Sequence, residues 1–348
     1  MTPVAPRKPI RAVVVEDSTA TRALVVRILQ ADGDIVVVGQ AASSADAIER
    51  TVELRPDVVT LDLYLPDGGG RHVIEQIMAQ APTPILVLSH SVDDRRSASV
   101  VDALVAGALD ALPKPERWTA ELESQLRRSV RVLHKVHVIR HRRASPERGS
   151  DCRENGAPAG LRRTVAIAAS TGGPSALATL LAGLAGTAAP VLVVQHLHRD
   201  FTAGLIDWMA RVSALPVELA EHGRVPRPGR VYVAPGGLHL RLGADSRLAL
   251  SPDPVTVHRP SADELFLSVA EHAGRGAIGV LLTGMGDDGA KGLLAIKEHG
   301  GRTFAQDEAS SAVFGMPAAA RRLGAVEDMM PPESLARAIT AASLEKSR

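Results

Sequence analysis

The sequence has little cysteine, few aromatic residues and no long apolar run. Cys152 is the only cysteine among the 348 residues, which excludes a disulfide framework within the chain. No apolar run reaches the roughly 20 residues of a membrane-spanning helix, and the polar, proline-rich residues 1–9 lack the apolar core of a signal peptide. A net charge of +1 implies neither a nucleic-acid nor a membrane partner, and without a long apolar run no direct membrane insertion is expected. These absences predict a globular protein located in the cytoplasm.

Length and a local change in composition predict two domains joined by a linker. A chain of 348 residues exceeds the usual size of one domain. Residues 127–163 hold eleven Lys or Arg against three acids, and residues 145–160 are rich in Gly, Pro, Ser and Ala. Such a segment cannot bury enough surface to fold alone. We therefore predict domains over 9–128 and 163–346 and a basic linker over 129–162, with helical spacing at 122–138 that extends the last helix of the first domain.

The first half of the chain alternates between strand-like and helical patterns. Strands are predicted at residues 10–15, 35–38, 57–61, 85–88 and 108–112, with helices at 45–54, 70–79 and 94–106 between them. This alternation is typical of a doubly wound parallel sheet. The apolar residues run continuously through the strands, as expected when both faces of a sheet are buried.

Polar residues end four of these strands. They are Glu16 and Asp17, Asp62, Ser89 and Lys114. The carboxyl ends of parallel strands meet at one edge of the sheet, so the three carboxylates converge there. Clustered carboxylates call for a hard cation such as Mg²⁺. An aspartate beside that cation can attack a phosphoryl group, while a lysine and a hydroxyl hold the phosphoryl oxygens.

This half resembles the receiver domain of bacterial response regulators. The matching segments are Val-Val-Glu-Asp-Ser (14–18), Leu-Asp-Leu-Tyr-Leu-Pro-Asp-Gly (61–68), Leu-Ser (88–89) and Pro-Lys-Pro (113–115). The resemblance implies a flavodoxin-like fold. It also implies that Asp62 is the phospho-acceptor and that Ser89 and Lys114 are the phosphate-sensing pair. The implied Mg²⁺ ligands are Glu16, Asp17, Asp62 and the Tyr64 backbone carbonyl. One departure is Ala111, which stands where the family often has an aromatic switch residue.

The second half supplies a serine, a histidine and an aspartate, each after a strand-like run. Ser170 follows residues 164–169 and precedes two glycines, His196 follows 190–194, and Asp287 and Asp288 follow 277–282. If these runs are parallel strands, the three side chains gather at one sheet edge as a nucleophile, a base and an acid. Two alternatives stay open at this point. The glycine turn could bind a phosphate, and spacing alone does not choose between the two aspartates.

The second half also resembles the catalytic domain of the chemotaxis protein-glutamate methylesterases. Further matching segments are Gly-Arg-Val-Tyr-Val-Ala-Pro-Gly-Gly-Leu-His (229–239), His-Arg-Pro-Ser-Ala-Asp (258–263) and Glu-Ala-Ser-Ser-Ala-Val-Phe-Gly-Met-Pro (308–317). The resemblance implies a Rossmann-like three-layer domain that contains no cofactor. It implies that Ser170 is the nucleophile, His196 the general base and Asp288 the orienting acid. It also implies that the Met285 backbone N–H is the oxyanion donor and that Thr171 lines the site. Departures from the family pattern are Ala168, Leu197 and His198.

Together the two resemblances imply an enzyme activated by phosphorylation. Its expected reaction is hydrolysis of glutamate γ-methyl esters on methyl-accepting chemotaxis receptors, with deamidation of receptor glutamines by the same chemistry. A chemotaxis histidine kinase is the expected phosphodonor. The alternative is a phospho-switched binding protein without esterase activity. A DNA-binding regulator has only the basic linker in its favour, because the second half shows no helix-turn-helix pattern.

Overall fold

A computed structural model describes residues 8–90, 94–136 and 163–345, with no account of the side chains of 94–97. The chain divides into two compact units, Met1–Arg142 and Arg143–Arg348. The basic linker predicted at 129–162 lies mostly outside the described residues, as does Cys152. No helix in the described ranges is long and apolar enough to cross a bilayer.

The first unit alternates strands and helices along the chain, as the sequence pattern predicts. Its strands are β1 (Ile10–Val15), β2 (Ile35–Ala41), β3 (Val58–Asp62), β4 (Tyr64–Leu65), β5 (Gly68–Gly69), β6 (Ile85–Ser89) and β7 (Asp110–Pro113). Its helices are α1 (Thr19–Gln30), α2 (Ser44–Leu54), α3 (Gly70–Gln80), α4 (Asp94–Ala106) and α5 (Ala120–Leu133). Side chains of Ser18, Ser43 and Thr119 accept backbone N–H groups at the starts of α1, α2 and α5, so local sequence defines where these helices begin.

The sheet of the first unit is parallel, with strand order β2-β1-β3-β6-β7. This is the flavodoxin-like order, in which the chain reverses direction across the sheet beside the first strand. Strands β3 and β6 are buried along their whole length. The predicted fold of this half is therefore confirmed.

Helix α5 ends earlier than its sequence pattern suggests. The helical spacing predicted a helix to residue 138, but α5 ends at Leu133. The N–H groups of Lys135 and Val136 bond back to the carbonyls of Val132 and Leu133, a tighter turn that closes the helix. The helix still runs five residues past 128, the predicted end of the first domain, and the predicted domain limits stay predictions.

The second unit is a larger structure of the same class. Its strands are β8 (Thr164–Ala169), β9 (Val191–Gln195), β10 (Val217–Leu219), β11 (Val231–Val233), β12 (His239–Leu242), β13 (Leu248–Ser251), β14 (Ala277–Leu281), β15 (Arg302–Gln306) and β16 (Asp328–Met330). Its helices are α6 (Gly173–Ala182), α7 (Thr202–Val212), α8 (Ala262–Ala273), α9 (Ala290–Glu298), α10 (Met316–Arg322) and α11 (Pro332–Leu344). Strands β12 and β13 form a separate antiparallel hairpin that leads into α8.

The main sheet of this unit has seven parallel strands in the order β10-β11-β9-β8-β14-β15-β16. The chain builds β9 to β11 on one side of β8 and β14 to β16 on the other. Strand order therefore switches at β8, and such a switch point opens a crevice at the carboxyl ends of the strands. The three central strands, β9, β8 and β14, end at the predicted site.

Candidate active site

The ends of the three central strands bring Ser170, His196 and Asp288 to one sheet edge. Ser170 directly follows β8, and its N–H donates to the Thr283 carbonyl beyond β14 at 3.0 Å. His196 directly follows β9, and its N–H donates to the Ala169 carbonyl at 2.9 Å. Backbone hydrogen bonds thus hold the three strand ends in register.

Ser170 stands on a tight turn that two glycines make possible. Gly172 has a φ of +75°, and a Cβ there would lie 2.4 Å from the Cβ of Ala312. Gly173 starts α6, its N–H donates to the Ser170 carbonyl at 2.7 Å, and a Cβ there would lie 2.0 Å from Gln195 Oε1. Neighbouring side chains therefore fill the space beside both glycines. The turn serves close packing, and the structure gives the phosphate-loop alternative no support.

Gln195 clamps the two strand ends together, a role that sequence reasoning missed. The residue is 5% exposed. The Nε2 group donates to the carbonyls of Ser170 at 2.9 Å and of His196 at 3.0 Å. The available signal in the sequence was a polar amide as the last residue of an otherwise apolar strand.

The imidazole of His196 contacts the Asp288 carboxylate. Nε2 of His196 lies 2.9 Å from Asp288 Oδ2, and both side chains are largely buried. The N–H direction is not aligned with that oxygen, so within the described chain neither ring nitrogen makes a well-formed hydrogen bond. Asp287 is exposed, whereas Asp288 faces the histidine. Of the two aspartates, Asp288 is the one in contact with His196.

The start of α8 holds Asp288 in its ionised form. Oδ1 accepts from Ser261 Oγ at 2.9 Å and from the Asp263 N–H at 3.0 Å, and Oδ2 accepts from the Ala262 N–H at 2.8 Å. Burial acts to raise the pKa of Asp288, but contact with His196 and the backbone donors of Asp263 and Ala262 outweigh it and hold that pKa below its usual value. The carboxylate also lies at the positive end of the helix.

The loop between β14 and α9 closes tightly on Ser170. A Cβ at Gly284 would lie 2.7 Å from the Ser170 Cβ and 2.2 Å from Met316 Sδ, so this backbone approaches the serine with no side chain between them. Met285 follows directly, and its N–H has no acceptor among the described residues. Thr171 is buried, and its carbonyl accepts from Thr283 Oγ1 at 3.0 Å.

Two further features of the site came to light only in the structure. Among the described residues, Ser170 Oγ makes no hydrogen bond to His196, and hydrogen bonds in a ligand-free site often tighten only when substrate binds. The ring of His258 stacks on His196, with centroids 4.2 Å apart and ring planes 4° from parallel. Ser261 and His258 both belong to the His-Arg-Pro-Ser-Ala-Asp segment before α8, which was the signal for both.

The predicted strand-end cluster also assembles in the first unit. Carboxylate oxygens of Glu16, Asp17 and Asp62 all lie within 4.8 Å of one another. Lys114 Nζ contacts Glu16 Oε2 and Asp62 Oδ2, each at 2.5 Å, and all three of these side chains are buried. Burial raises the pKa of Glu16, although the contact with Lys114 acts in the opposite direction.

Ser89 and Tyr64 lie at the same edge of the sheet. Ser89 Oγ is buried and has no hydrogen-bond partner in the described chain, while the Ser89 carbonyl accepts from the Lys114 N–H at 2.8 Å. The Tyr64 N–H donates to Asp62 Oδ1 at 3.2 Å. An all-oxygen carboxylate set fits Mg²⁺, and an unpaired buried hydroxyl beside it fits an arriving acceptor such as a phosphoryl oxygen.

Comparison with known proteins identifies both units. Residues 165–339 match the CheB methylesterase family and residues 12–127 match the response regulator receiver domain. The chain is 47% identical to protein-glutamate methylesterase/protein-glutamine glutaminase 2 of Anaeromyxobacter dehalogenans, with 95% of this chain and 96% of the relative covered. It is 39% identical to protein-glutamate methylesterase/protein-glutamine glutaminase 4 of Geobacter metallireducens, with 97% and 100% covered.

A solved structure agrees for the second unit. The crystal structure of the Thermotoga maritima CheB methylesterase catalytic domain superposes with a TM-score of 0.50 at 35% identity, over 51% of this chain and 97% of that one. Both the fold and the near full-length matches therefore agree with the motifs in the sequence. The chain belongs to the CheB methylesterase family, with a response regulator receiver domain ahead of the esterase domain.

Proposed function

We propose that this protein hydrolyses glutamate γ-methyl esters on chemotaxis receptors and deamidates receptor glutamines. Ser170 is the nucleophile, His196 the general base and Asp288 the acid that orients it. The observation that carries the proposal is the 2.9 Å contact of His196 Nε2 with Asp288, which is largely buried and accepts N–H groups at the start of α8. The two residues lie beside a serine on a strand-to-helix turn. The names of the relatives supply the substrate class.

The reaction follows ordinary acyl-transfer chemistry. His196 takes the hydroxyl proton as Ser170 Oγ bonds to the ester carbon, and the carbonyl oxygen becomes an oxyanion. The carbon–oxygen bond to the methoxy group then breaks, His196 returns the proton, and methanol leaves. Water attacks the Ser170 ester in the same way and releases the glutamate. With a glutamine the leaving group is ammonia, which explains how one site performs both reactions.

The geometry of the site supports a role for each participant. Because Asp288 contacts Nε2, the nitrogen left for the Ser170 proton is Nδ1, which is buried and has no hydrogen-bond partner in the described ranges. The ionised Asp288 stabilises the imidazolium as it forms. The N–H of Met285, which has no acceptor in the described part of the chain, lies on the loop packed against Ser170 and is the proposed oxyanion donor. Thr171 lines the site next to the nucleophile.

We propose that phosphorylation of Asp62 activates the enzyme. Glu16, Asp17, Asp62 and the Tyr64 carbonyl would hold Mg²⁺, which when bound shields the charge of the phosphoryl group and of the carboxylates. Lys114, now paired with Asp62, would pair with a phosphoryl oxygen, and the unpaired Ser89 hydroxyl would donate to another. The expected phosphodonor is a chemotaxis histidine kinase. These changes of partner inside the receiver are the proposed start of the signal.

The activation is testable by replacing Asp62. Methanol release from methylated receptor membranes by the full chain should rise about 100-fold with acetyl phosphate and Mg²⁺, which requires only about 2.7 kcal/mol of differential stabilisation. Asp62→Asn should abolish the rise and keep the basal rate, because the amide does not accept the phosphoryl group. The matched control is Asp57→Asn, one residue before the other end of β3. A full response in Asp62→Asn would refute the assignment, and no release under any condition would refute the esterase.

A further inference from the structure

His258 is a second histidine at the esterase site, and its ring covers a face of His196. The two imidazoles lie 4.2 Å apart between centroids with planes 4° from parallel. A half-buried ring in this position limits how far the His196 ring can turn. The sequence motif places it just before α8, whose first turn also holds Asp288.

His196 needs such a restraint. Among the described residues its ring has one polar contact, the Asp288 carboxylate, and that contact is close but not aligned. A single off-axis contact lets an imidazole swing about its bond to Cβ. General-base catalysis depends on geometry at the reacting proton, and a shift of about 1 Å can cost about 100-fold in rate. A flat neighbour stacked on the ring supplies the missing constraint.

The segment that carries His258 is held by polar tethers at both ends. The buried His239 contacts the Pro254 carbonyl through Nε2 at 2.9 Å and accepts from the Ser261 N–H through Nδ1 at 3.1 Å. The Arg259 carbonyl accepts from the Gly237 N–H at 3.0 Å. These contacts tie the segment to the β12–β13 hairpin and to the loop just before it. Residues outside the triad therefore help to set the position of His258.

The side chains between the tethers point in opposite directions. Val255 and Val257 are 77% and 88% exposed, so the segment is not held by burial of its own apolar residues. Thr256 and His258 are half-buried, and Thr256 Oγ1 donates to the His258 carbonyl at 2.5 Å. The exposed and half-buried side chains alternate along the segment, and the ring of His258 lies on the half-buried side against His196.

We propose that His258 is a positioning residue that acts through His196, keeping the base in the orientation that receives the Ser170 proton. The inference rests on the proposed esterase function and adds a residue to that site. His258 forms no hydrogen bond through its ring nitrogens among the described residues. It therefore acts on His196 through the planar face of its ring.

The electrostatics of the pair suit this role. Burial and the neighbouring His196 lower the pKa of His258 to about 4, although Asp288 and Asp287 act to raise it. His258 is therefore neutral at neutral pH. When His196 becomes an imidazolium during catalysis, it forms against a neutral ring and meets no repulsion from its neighbour.

The test compares two substitutions of similar size in the full chain, His258→Phe and His258→Leu. Methanol release from methylated receptor membranes, with acetyl phosphate and Mg²⁺, gives kcat and KM. His258→Phe keeps a planar ring and should retain most of the rate. His258→Leu fills a similar space but has no planar ring to stack on His196. Its kcat should fall roughly 10- to 100-fold at an unchanged KM. The control is His272→Ala, about 17 Å along α8 from Ser261, which should match the wild type.

The outcomes separate this inference from the function it rests on. Equal rates for the Phe and Leu variants would overturn the positioning role alone. So would a rise in KM at constant kcat, because that marks a substrate contact. Methanol release by the wild type that does not depend on Ser170 would overturn the proposed function and this inference together. Circular dichroism confirms that both variants fold before rates are compared.

Discussion

Methanol release by the full chain should fall by about three to six powers of ten when Ser170 is replaced by alanine. The variant lacks the hydroxyl oxygen proposed to form the acyl intermediate, so the remaining rate comes from direct attack by water assisted by the oxyanion donor and by binding. The hydroxyl of Ser170 makes no hydrogen bond in the described chain, so its removal should leave the free energy of unfolding nearly unchanged.

The matched control is Ser175→Ala. Ser175 is exposed on α6, five positions further along the same turn and helix. It should keep the wild-type rate, because it faces away from the strand ends. Receptor binding should be equal in all three proteins, which a pull-down with receptor membranes measures. A Ser170→Ala protein that turns over at the wild-type rate would refute the nucleophile assignment.

Asp288→Asn should lower kcat by about ten-thousandfold, the scale seen when a triad aspartate loses its charge. The amide cannot stabilise the imidazolium on His196. It also brings an N–H₂ group to a position surrounded by donors, the Ser261 hydroxyl and the N–H groups of Ala262 and Asp263. One of those donors then loses its acceptor, which costs roughly 1–3 kcal/mol of stability. The control is the adjacent Asp287→Asn, which should keep most of the activity.

The same substitution has a pH signature in stability. Because the pKa of Asp288 is depressed in the folded state, its contribution is fully present above its unfolded pKa of about 4 and is lost as the pH falls toward the folded value. The difference in unfolding free energy between wild type and Asp288→Asn should therefore shrink below about pH 4. Urea titrations at neutral and acid pH measure it, and a difference that grows in acid would contradict the ionised state.

The residues at strand ends were predictable because one topological rule places them. Parallel strands bring their carboxyl ends to one edge, so Ser170, His196 and the Asp62 cluster followed from where apolar runs stop. Bounds of β1 and β8 agree with the patterns at 10–15 and 164–169 because charged or turn residues stop both runs. The choice of Asp288 over Asp287 needed the family resemblance, since adjacent residues satisfy the same spacing.

Residues outside the strand ends were not predictable from spacing. His258 and Ser261 reach the site from a segment between the β12–β13 hairpin and α8, and no periodicity links that segment to β8 or β9. The clamp made by Gln195 was not predictable either, because it depends on the missing side chain of Gly173, where a Cβ would lie 2.0 Å from Gln195 Oε1. The end of α5 was missed because apolar spacing continues where the backbone already turns.

The most direct test of the central claim is whether Ser170, His196 and Asp288 act as one unit. The measurement is methanol release by Ser170→Ala, Asp288→Asn and the double variant, in the full chain with acetyl phosphate and Mg²⁺. Residues of one catalytic unit are strongly non-additive, so the double variant should be no slower than Ser170→Ala alone. If the two losses multiply instead, Asp288 acts independently of the serine, and the proposed triad is wrong.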